Sequence, residues 1–214
     1  MEFIDEELAA YVAQHSESET DLLAAVNRQT HLEVLKPRML SGHLQGRVLS
    51  ILSHMIKPAC ILEIGTYTGY SALCMAEGLS KDGKLFTIDI NIELQERVQG
   101  YFDNSPFKEN IKYLQGNALD VIPTLAEKWD MIFIDADKEN YLNYYKLCID
   151  NLNSGGYILV DNVLWSGKVL AKNRKNLDKD TQAILDFNKY VHEDERVQNV
   201  LFPIRDGLMI LRKK

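Results

Sequence analysis

The sequence contains few of the residues that define disulfide-stabilised, zinc-binding or membrane-spanning proteins. Its 214 residues include only three cysteines, Cys60, Cys74 and Cys148, and no Cys-x-x-Cys pair. An odd number of cysteines without zinc-ligand spacing argues against a disulfide framework and against a structural zinc site. We expect these cysteines to be small buried side chains. No apolar stretch is long enough to cross a bilayer, so we expect no membrane association.

An excess of basic residues is also absent. The chain has 24 lysines and arginines against 31 aspartates and glutamates, a formal net charge of −7, which disfavours a non-specific nucleic-acid binder. Four of the first seven residues are acidic and the segment does not resemble a secretory signal, so we expect a cytoplasmic protein. No proline- or glycine-rich linker interrupts the chain, and we expect residues 1–214 to form a single domain.

Four short apolar runs, each ending in an acidic residue, are the most informative feature of the chain. They end at Glu63, Asp89, Asp135 and Asp161. Apolar runs of this length are typical of buried parallel strands, and an open α/β sheet binds its ligands outside the carboxyl ends of its strands. Carboxylates at such an edge are costly unless a ribose, a cationic cofactor or a metal ion meets them. The pattern therefore predicts an enzyme site.

Strand-like and helix-like segments alternate along the chain, which predicts an α/β fold. We expect a Rossmann-like sheet of seven strands, mostly parallel, with helices on both faces and extra N-terminal helices. Residues 203–207 predict a hairpin, which would make the last strand antiparallel. Residues 1–56 would form a helical cap and residues 57–214 the Rossmann-like core. The predicted strands are 59–64, 84–89, 111–115, 130–135, 156–161, 197–202 and 207–212, and the predicted helices are 6–14, 18–29, 45–55, 70–80, 92–104, 118–127, 139–152 and 178–194.

The turn after the first predicted strand reads Glu63-x-Gly65-x-x-x-Gly69. A dinucleotide-binding turn would read Gly-x-Gly-x-x-Gly and hold a pyrophosphate, whereas the carboxylate here would repel a pyrophosphate and attract a sulfonium. Asp89 ends the next strand, 20 residues past Gly69, where a ribose-binding carboxylate belongs. Together these features predict an S-adenosylmethionine site, with Glu63 and Gly65 at the methionine end. A purely structural turn and a nicotinamide site are the alternatives.

Oxygen-bearing side chains follow the fourth and fifth predicted strands. Asp135 and Asp161 end these strands, and Asn162 comes next in the chain. Neighbouring parallel strands can bring such ends together, and two carboxylates with an amide oxygen suit Mg²⁺, Ca²⁺ or Mn²⁺ better than zinc. About three of six coordination positions would remain for a substrate with two adjacent oxygens. We predict a divalent-cation site, with Mg²⁺ the first choice and a simple loop-start turn as the alternative.

Lys138 lies three residues beyond Asp135. A lysine amine that is close to a cation and shielded from water loses its proton more easily. Lys138 could therefore act as a general base on a phenolic hydroxyl. The alternative is an ordinary surface ion pair of Lys138 with Asp137 or Glu139.

Three segments of the chain resemble one family, the cation-dependent O-methyltransferases, which includes caffeoyl-CoA and catechol O-methyltransferases. The resemblance runs from Met39 to the end of the chain. It is most specific at the two cation segments, because other methyltransferases lack that triad of ligands. The segments are residues 61–71, 135–141 (Asp-Ala-Asp-Lys-Glu-Asn-Tyr) and 161–165 (Asp-Asn-Val-Leu-Trp).

The resemblance implies a role for each matching position. Asp135, Asp161 and Asn162 would bind the cation, Lys138 would carry catalysis with Asp135 beside it, and Trp165 would help to wall the acceptor pocket. A catechol-type or caffeoyl-type acceptor and a homodimer are implied as well. The implied contacts to S-adenosylmethionine are Ser41, Glu63, Gly65, Tyr67, Ser71, Asp89, Ala118 and Asp137.

Departures from the family pattern concern the methyl acceptor. Residues 41–46 differ from the acidic version in the plant enzymes, Ser166 stands where those enzymes have an asparagine, and Arg205 stands where a glycine is usual. Residues 166–178 would form a basic lid over the acceptor or an ordinary solvated loop. The basic residues of this segment are Lys168, Lys172, Arg174 and Lys175.

Three other functions stay open on the sequence. The basic cluster keeps open a tRNA methyltransferase acting on a modified uridine hydroxyl, although the net charge argues against it. A non-catalytic cofactor-binding module would have no use for the cation triad or for Lys138. A nicotinamide oxidoreductase would need a different glycine spacing.

Overall fold

A computed structural model of the protein describes residues 5–170 and 177–214. Seven strands form one mixed sheet in the order β3-β2-β1-β4-β5-β7-β6, and the predicted Rossmann-like architecture is confirmed. The strands are β1 (Cys60–Ile64), β2 (Lys84–Asp89), β3 (Ile111–Gln115), β4 (Trp129–Ile134), β5 (Leu152–Val160), β6 (Val197–Phe202) and β7 (Leu208–Lys213).

Eight α-helices lie within the described ranges, and none of them is long and apolar enough to cross a membrane. The chain divides into two compact units, one running to Asn117 and the other from Ala118 to Lys214. The helices are α1 (Glu6–Gln14), α2 (Asp21–Glu33), α3 (Gly42–Ile56), α4 (Tyr70–Ala76), α5 (Gln95–Asp103), α6 (Ala118–Val121), α7 (Tyr141–Ile149) and α8 (Lys179–Glu193).

The first unit contains α1–α5 and the parallel strands β1–β3. Leu85 of β2 pairs with Ile61 on one side and with Ile111 on the other. Helix α3 starts earlier than predicted and ends at Ile56, because the next residue, Lys57, has a φ of 53° and lies directly before Pro58. A residue before proline is pushed out of the α conformation, which explains why the predicted end is nearly correct.

The second unit contains β4–β7 and α6–α8. Strands β4 and β5 are parallel, whereas β7 is antiparallel to both β5 and β6, so the predicted closing hairpin is confirmed. Strand β5 begins at Leu152, four residues before its predicted start at 156. Residues 153–156 read Asn-Ser-Gly-Gly, a composition typical of a turn, so the sequence pattern alone does not identify this part of the strand.

Several predicted helices are shorter in the structure, among them the two that follow β3 and β4. The helix predicted at 118–127 is a single turn followed by the 3₁₀ turn Ile122–Thr124, because Pro123 has no N–H to donate and restricts the helix around it. The helix predicted at 139–152 begins at Tyr141, after the 3₁₀ turn Lys138–Asn140. This second change places the Lys138 side chain on a tight turn at the end of β4.

The apolar side chains in the middle of the strands are buried. Ile61 and Leu62 in the first unit, and Ile132 and Phe133 in the second, are fully buried. Burial of such a side chain contributes about 1.5–3 kcal/mol. This apolar support holds the strand ends in fixed places, and the polar residues of the candidate site begin where the apolar runs stop.

Gly69 is the position where the fold most clearly requires glycine. Its φ is +79°, and an added Cβ would lie 2.8 Å from a ring carbon of Phe102. We expect Gly69→Ala to destabilise the protein by about 3 kcal/mol in urea unfolding, from backbone strain and overpacking. Gly100→Ala is the control, because its added Cβ would meet no atom within 4 Å in the helix α5, and it should be neutral or slightly stabilising. Equal effects of the two substitutions would contradict this account.

Candidate active site

A buried carboxylate organises the turn after β1. Glu63 is fully buried, and it accepts hydrogen bonds from the Ser71 hydroxyl at 2.5 Å and from the Thr87 hydroxyl. Thr87 also shares a 2.5 Å hydrogen bond with the Thr66 hydroxyl. A buried carboxylate is tolerated when donors surround it. Helix α4 and strand β2 supply those donors and hold Glu63 in one orientation.

The turn itself depends on left-handed backbone conformations. Gly65 has a φ of +101° and Tyr67 a φ of +49°. The Gly65 N–H donates to the Ile88 carbonyl at 2.9 Å, and the Gly69 N–H closes the turn on the Thr66 carbonyl at 2.8 Å. A non-glycine residue in this region is uncommon and is often found at a functional loop.

The Asp89 carboxylate, at the end of β2, accepts a hydrogen bond from the backbone of this turn. One of its carboxylate oxygens accepts the Tyr67 N–H at 2.7 Å and the other accepts the Asn91 N–H at 2.8 Å. Each carboxylate oxygen has further lone pairs, so Asp89 retains the capacity to accept bonds from ribose hydroxyls. The structure therefore brings Glu63, Tyr67 and Asp89 into one network with Gly65 and Ser71. Its chemistry fits a cationic nucleoside cofactor.

The remaining predicted cofactor residues lie outside this network. Ser41 is buried immediately before α3, and Ala118 is buried at the start of α6. Asp137 is exposed and is held by two hydrogen bonds of 2.5 Å, from the Tyr144 hydroxyl and from the Asn140 amide. Asp137 therefore has a fixed orientation even though it faces solvent.

The register of β4 and β5 brings the predicted cation ligands to adjacent strand ends. Ile134 pairs with Val160, so Asp135 and Asp161 each follow a paired residue. The Asp161 N–H donates to the Ile134 carbonyl at 3.0 Å. Asp161 is only 3% exposed, and one of its carboxylate oxygens accepts the Asn162 N–H at 2.8 Å.

Lys138 joins these two strand ends. Its Nζ donates to Asp135 Oδ1 at 2.9 Å and to the Tyr141 hydroxyl at 2.5 Å, and the Tyr141 hydroxyl donates to the Asp161 carbonyl at 3.0 Å. The lysine side chain is 9% exposed. The surface ion pair that the sequence left open is therefore not formed, because Lys138 is buried and its carboxylate partner is Asp135.

Tyr141 is fully buried beneath this group. Burial, followed by the negative charges of Asp135 and Asp161, raises the pKa of the Tyr141 hydroxyl well above its ordinary value. The hydroxyl therefore keeps its proton throughout the working pH range. It remains a donor to the Asp161 carbonyl and an acceptor for Lys138.

The donor set suits a hard divalent cation. In the part of the chain that the structure describes, no group of three or more His, Cys, Asp and Glu side chains could hold a metal ion. The candidate set therefore needs the Asn162 amide as its third oxygen, beside Asp135 and Asp161. Asn162 has a φ of +60°, a conformation in which asparagine is enriched among non-glycine residues. All-oxygen ligands fit Mg²⁺, Ca²⁺ or Mn²⁺.

Trp165 lies on a strained loop after β5. Its φ is +47° and that of Ser166 is +52°. The indole ring centre lies 5.8 Å from the Lys138 Nζ and 5.6 Å from the Lys168 Nζ. Its buried Nε1 has no hydrogen-bond partner among residues 5–170 and 177–214. The ring therefore has cationic neighbours and a donor able to meet a ligand.

The β6–β7 turn holds this loop in place. The Val163 N–H donates to the Gly207 carbonyl at 3.1 Å and the Leu164 N–H to the Asp206 carbonyl at 2.9 Å, while the Ser166 N–H donates to the Asp206 carboxylate. Burial raises the pKa of Asp206, an effect that the Ser166 hydrogen bond opposes.

The central part of the predicted basic lid at 166–178 lies outside the described residues. Lys172, Arg174 and Lys175 belong to the segment 171–176, which the structure does not describe. Lys168 and Asp178 flank it and form an exposed ion pair at 2.8 Å. The lid stays a prediction.

Comparisons with known proteins agree with this architecture. A profile of the O-methyltransferase family matches residues 13–214. Caffeoyl-CoA O-methyltransferase 2 of Petunia hybrida is 36% identical over 179 residues, which cover 79% of this chain and 74% of the petunia protein.

The chain belongs to the O-methyltransferase family.

Two solved structures of methyltransferases extend the likeness. The Podospora anserina methyltransferase PaMTH1, bound to S-adenosylhomocysteine, has a TM-score of 0.90 and 28% identity, and the match covers 100% of this chain and 98% of that one. The O-methyltransferase TomG of Streptomyces achromogenes, in complex with S-adenosylmethionine, has a TM-score of 0.88 and 25% identity, with 97% and 96% covered. This protein is an S-adenosylmethionine-dependent O-methyltransferase.

Several residues that support this candidate O-methyltransferase site are not predicted by the sequence patterns. Thr87 sits inside an apolar strand run, where its hydroxyl gives no signal of its contact with Glu63. Tyr141 and Tyr144 carried a weak signal, because Tyr141 lies three residues past Lys138 and Tyr144 seven residues past Asp137 in the sequence. Asp206 lies in a turn whose partner loop is 40 residues away in the chain.

Asp89 offers a test of the cofactor network. Asp89→Ala removes the acceptor of the Tyr67 and Asn91 N–H groups and the candidate partner of the ribose hydroxyls. We expect the Kd for S-adenosylmethionine, measured by calorimetry, to rise about 10- to 100-fold. Asp103→Ala, which removes an exposed carboxylate bonded only locally to Gln99, is the control and should leave the Kd unchanged. An unchanged Kd in both variants would remove Asp89 from the cofactor site.

Proposed function

We propose that this methyltransferase transfers the methyl group of S-adenosylmethionine to one hydroxyl of a vicinal pair on a catechol-type or caffeoyl-type small molecule. The transfer would depend on a divalent cation, with Mg²⁺ the first choice and Ca²⁺ or Mn²⁺ as others. One observation carries the proposal: the buried Asp161 and the Lys138–Asp135 pair lie at adjacent strand ends and are linked through Tyr141. Two carboxylates and an amide beside a buried lysine are more than a cofactor-binding module requires.

The cation would be held by Asp135, Asp161 and Asn162. When bound, it would orient two adjacent oxygens and favour loss of a proton from one of them. Lys138 would take that proton as a general base, with Asp135 holding its amine in place. Trp165 would help to wall the acceptor and place its ring plane beside that of a phenol.

The cofactor would be held by the turn after β1 and by Asp89. The S-adenosylmethionine sulfonium supplies an electrophilic methyl group, and the buried negative charge of Glu63 favours the cationic methionine end. Gly65 and Tyr67 shape the turn, Ser71 orients Glu63, and Asp89 would bind the ribose. The further proposed contacts are Ser41, Ala118 and Asp137.

The relatives support the acceptor class. The petunia protein named above is a caffeoyl-CoA O-methyltransferase, and a caffeoyl group carries two adjacent phenolic hydroxyls. We also propose, from the family resemblance, that the protein is a cytoplasmic homodimer, which sedimentation analysis of the purified chain would test.

Metal dependence and acceptor class can be tested in one assay. Methyl transfer from S-adenosylmethionine to caffeic acid and to catechol would be measured with Mg²⁺ and with excess EDTA. We expect turnover with Mg²⁺ that EDTA abolishes. Turnover that survives EDTA would remove the cation from the proposal. The absence of turnover in both conditions, with cofactor binding intact, would remove the catechol-type acceptor.

Asp161→Ala separates the cation site from the cofactor site. We expect it to reduce Mg²⁺-dependent turnover by at least about 100-fold, because a cation ligand is lost. The Kd for S-adenosylmethionine should change less than about threefold, a difference worth under 1 kcal/mol. Asp186→Ala, an exposed carboxylate on α8 bonded to Gln182, serves as the control. A matching loss of cofactor binding would contradict the proposed division of labour.

A second function has one observation in its favour. The sequence places Lys168, Lys172, Arg174 and Lys175 within eight residues, a density of positive charge suited to phosphates. The second candidate is methylation of a modified uridine hydroxyl in tRNA. Purified tRNA offered as acceptor with labelled S-adenosylmethionine would distinguish the two functions. Label transfer to tRNA but not to catechols would establish the alternative.

A further inference from the structure

The Tyr141 hydroxyl links Lys138 to the backbone of Asp161, which packing of a tyrosine ring alone would not require. It accepts from the Lys138 Nζ at 2.5 Å and donates to the Asp161 carbonyl at 3.0 Å. The lysine ammonium also lies 4.8 Å from the centre of the Tyr141 ring. Tyr141 therefore contacts the end of β5 directly and the end of β4 through Lys138, while its own ring is fully buried against Phe187 on α8.

The number of protons on the Tyr141 and Lys138 side chains fixes the orientation of the Lys138 amine. A phenol has one proton, and the Tyr141 proton is directed at the Asp161 carbonyl, so the phenol oxygen can only accept from Lys138. Two N–H bonds of Lys138 are then committed, one to Tyr141 and one to Asp135. A tetrahedral nitrogen with its Cε bond and two N–H directions fixed has only one direction left. That direction is the one available for exchanging a proton with a substrate.

We propose that Tyr141 is a positioning residue of the methyl-transfer reaction, acting through Lys138. Tyr141 links the Lys138 Nζ to the backbone of Asp161. This link fixes the remaining bonding direction of the nitrogen relative to the end of β5, which carries the candidate cation ligands. This inference rests on the proposed role of Lys138 as general base. It assigns no chemical step to Tyr141, which does not exchange its own proton in the reaction.

Tyr145 provides a matched control on the same helix. It is also fully buried, its ring also packs edge-to-face on Phe187, and its hydroxyl donates to Asp194 at 2.9 Å. The hydroxyl of Tyr145 therefore serves the packing of the second unit through Asp194, and its partner is this carboxylate and not Lys138. Removing the Tyr145 hydroxyl deletes its hydrogen bond to Asp194, whereas removing the Tyr141 hydroxyl deletes two hydrogen bonds, so Tyr141→Phe should lose up to about twice the stability.

The kinetic test is a double-mutant cycle. Tyr141→Phe should lower kcat about 10- to 100-fold, the cost of a misplaced catalytic group, while the KM for S-adenosylmethionine changes less than about twofold. Tyr145→Phe should leave kcat within about twofold of the wild type. In a Lys138→Met background, Tyr141→Phe should have no further effect on kcat, because its partner is already gone. Additive losses in the double variant would overturn the proposal.

A spectroscopic test does not require turnover. In protein labelled with ¹⁵N at lysine side chains, a buried lysine nitrogen whose N–H bonds are held by two acceptors should give a slowly exchanging proton resonance, identified by its loss in Lys138→Met. We expect this resonance to disappear or shift in Tyr141→Phe and to stay unchanged in Tyr145→Phe. An unchanged resonance in Tyr141→Phe, or none in the wild type, would overturn the positioning role.

The two tests separate this inference from the proposed function. If the wild type transfers no methyl group to a catechol, the acceptor proposal fails while the resonance still reports whether Tyr141 fixes Lys138. If catechol turnover is robust and cation-dependent but Tyr141→Phe retains full kcat, only the positioning role fails. The midpoint of thermal unfolding should fall by about 2–4 °C in Tyr145→Phe and by up to about twice that in Tyr141→Phe. Midpoints that stay well above the assay temperature in both variants show that lost stability does not explain the difference in kcat.

Discussion

A carboxylate withdrawn from water must be met by donors or by a positive charge, and this constraint organises each of the two units. In the first unit, Glu63 is buried and is met by the hydroxyls of Ser71 and Thr87. In the second, Asp161 is buried and accepts the N–H of Asn162, while Asp135 is met by Lys138. An uncompensated buried charge would cost several kcal/mol, so the donors are as necessary to the fold as to the chemistry.

The same loops carry the backbone strain. Tyr67, Asn162, Trp165 and Ser166 all have positive φ values, and all lie just after β1 or β5. Residues held in such conformations cost about 1–3 kcal/mol each and persist only when their surroundings determine them. Here the surroundings are identifiable: Asp89 accepts the N–H of Tyr67, and the β6–β7 turn accepts the N–H groups of the loop after β5. The strain is located where a ligand would need a fixed backbone.

Sequence patterns predicted the strands of the sheet well, because each strand is recognised from the short apolar run that forms it. Strands β2, β3 and β6 begin and end where the apolar runs predicted, and the acidic residue after each apolar run identified the strand ends that bear the site. The helices were less well predicted where a 3₁₀ turn replaces an α-helical one, as at Lys138–Asn140. Such turns depend on tertiary packing, which no single-sequence periodicity contains.

The candidate site was predictable in its charged residues and not in its supporting hydroxyls. A carboxylate or a lysine at the end of an apolar run is unusual in itself, whereas a tyrosine or threonine inside a buried segment is ordinary. Tyr141 and Thr87 gain their significance only from partners that the fold brings to them, 20 residues away at Asp161 and 24 residues away at Glu63. Contacts of that range are set by sheet register and helix placement, and these follow from the whole core.

The residues of the proposed site are held in place in two ways, some by the register of the strands and others by the conformation of a loop. The cation ligands and Lys138 depend on the pairing of Ile134 with Val160, and a shift of one residue there would turn the strand ends away from each other. Trp165 depends instead on bonds from residues 163–166 to Asp206 and Gly207. Substitutions in the β6–β7 turn can therefore alter the surroundings of Trp165 without disturbing the strand register. If Trp165 contacts the acceptor as proposed, a protein of this architecture can change its acceptor while retaining its chemistry, and Arg205, which lies within that turn, stands where such a change would act.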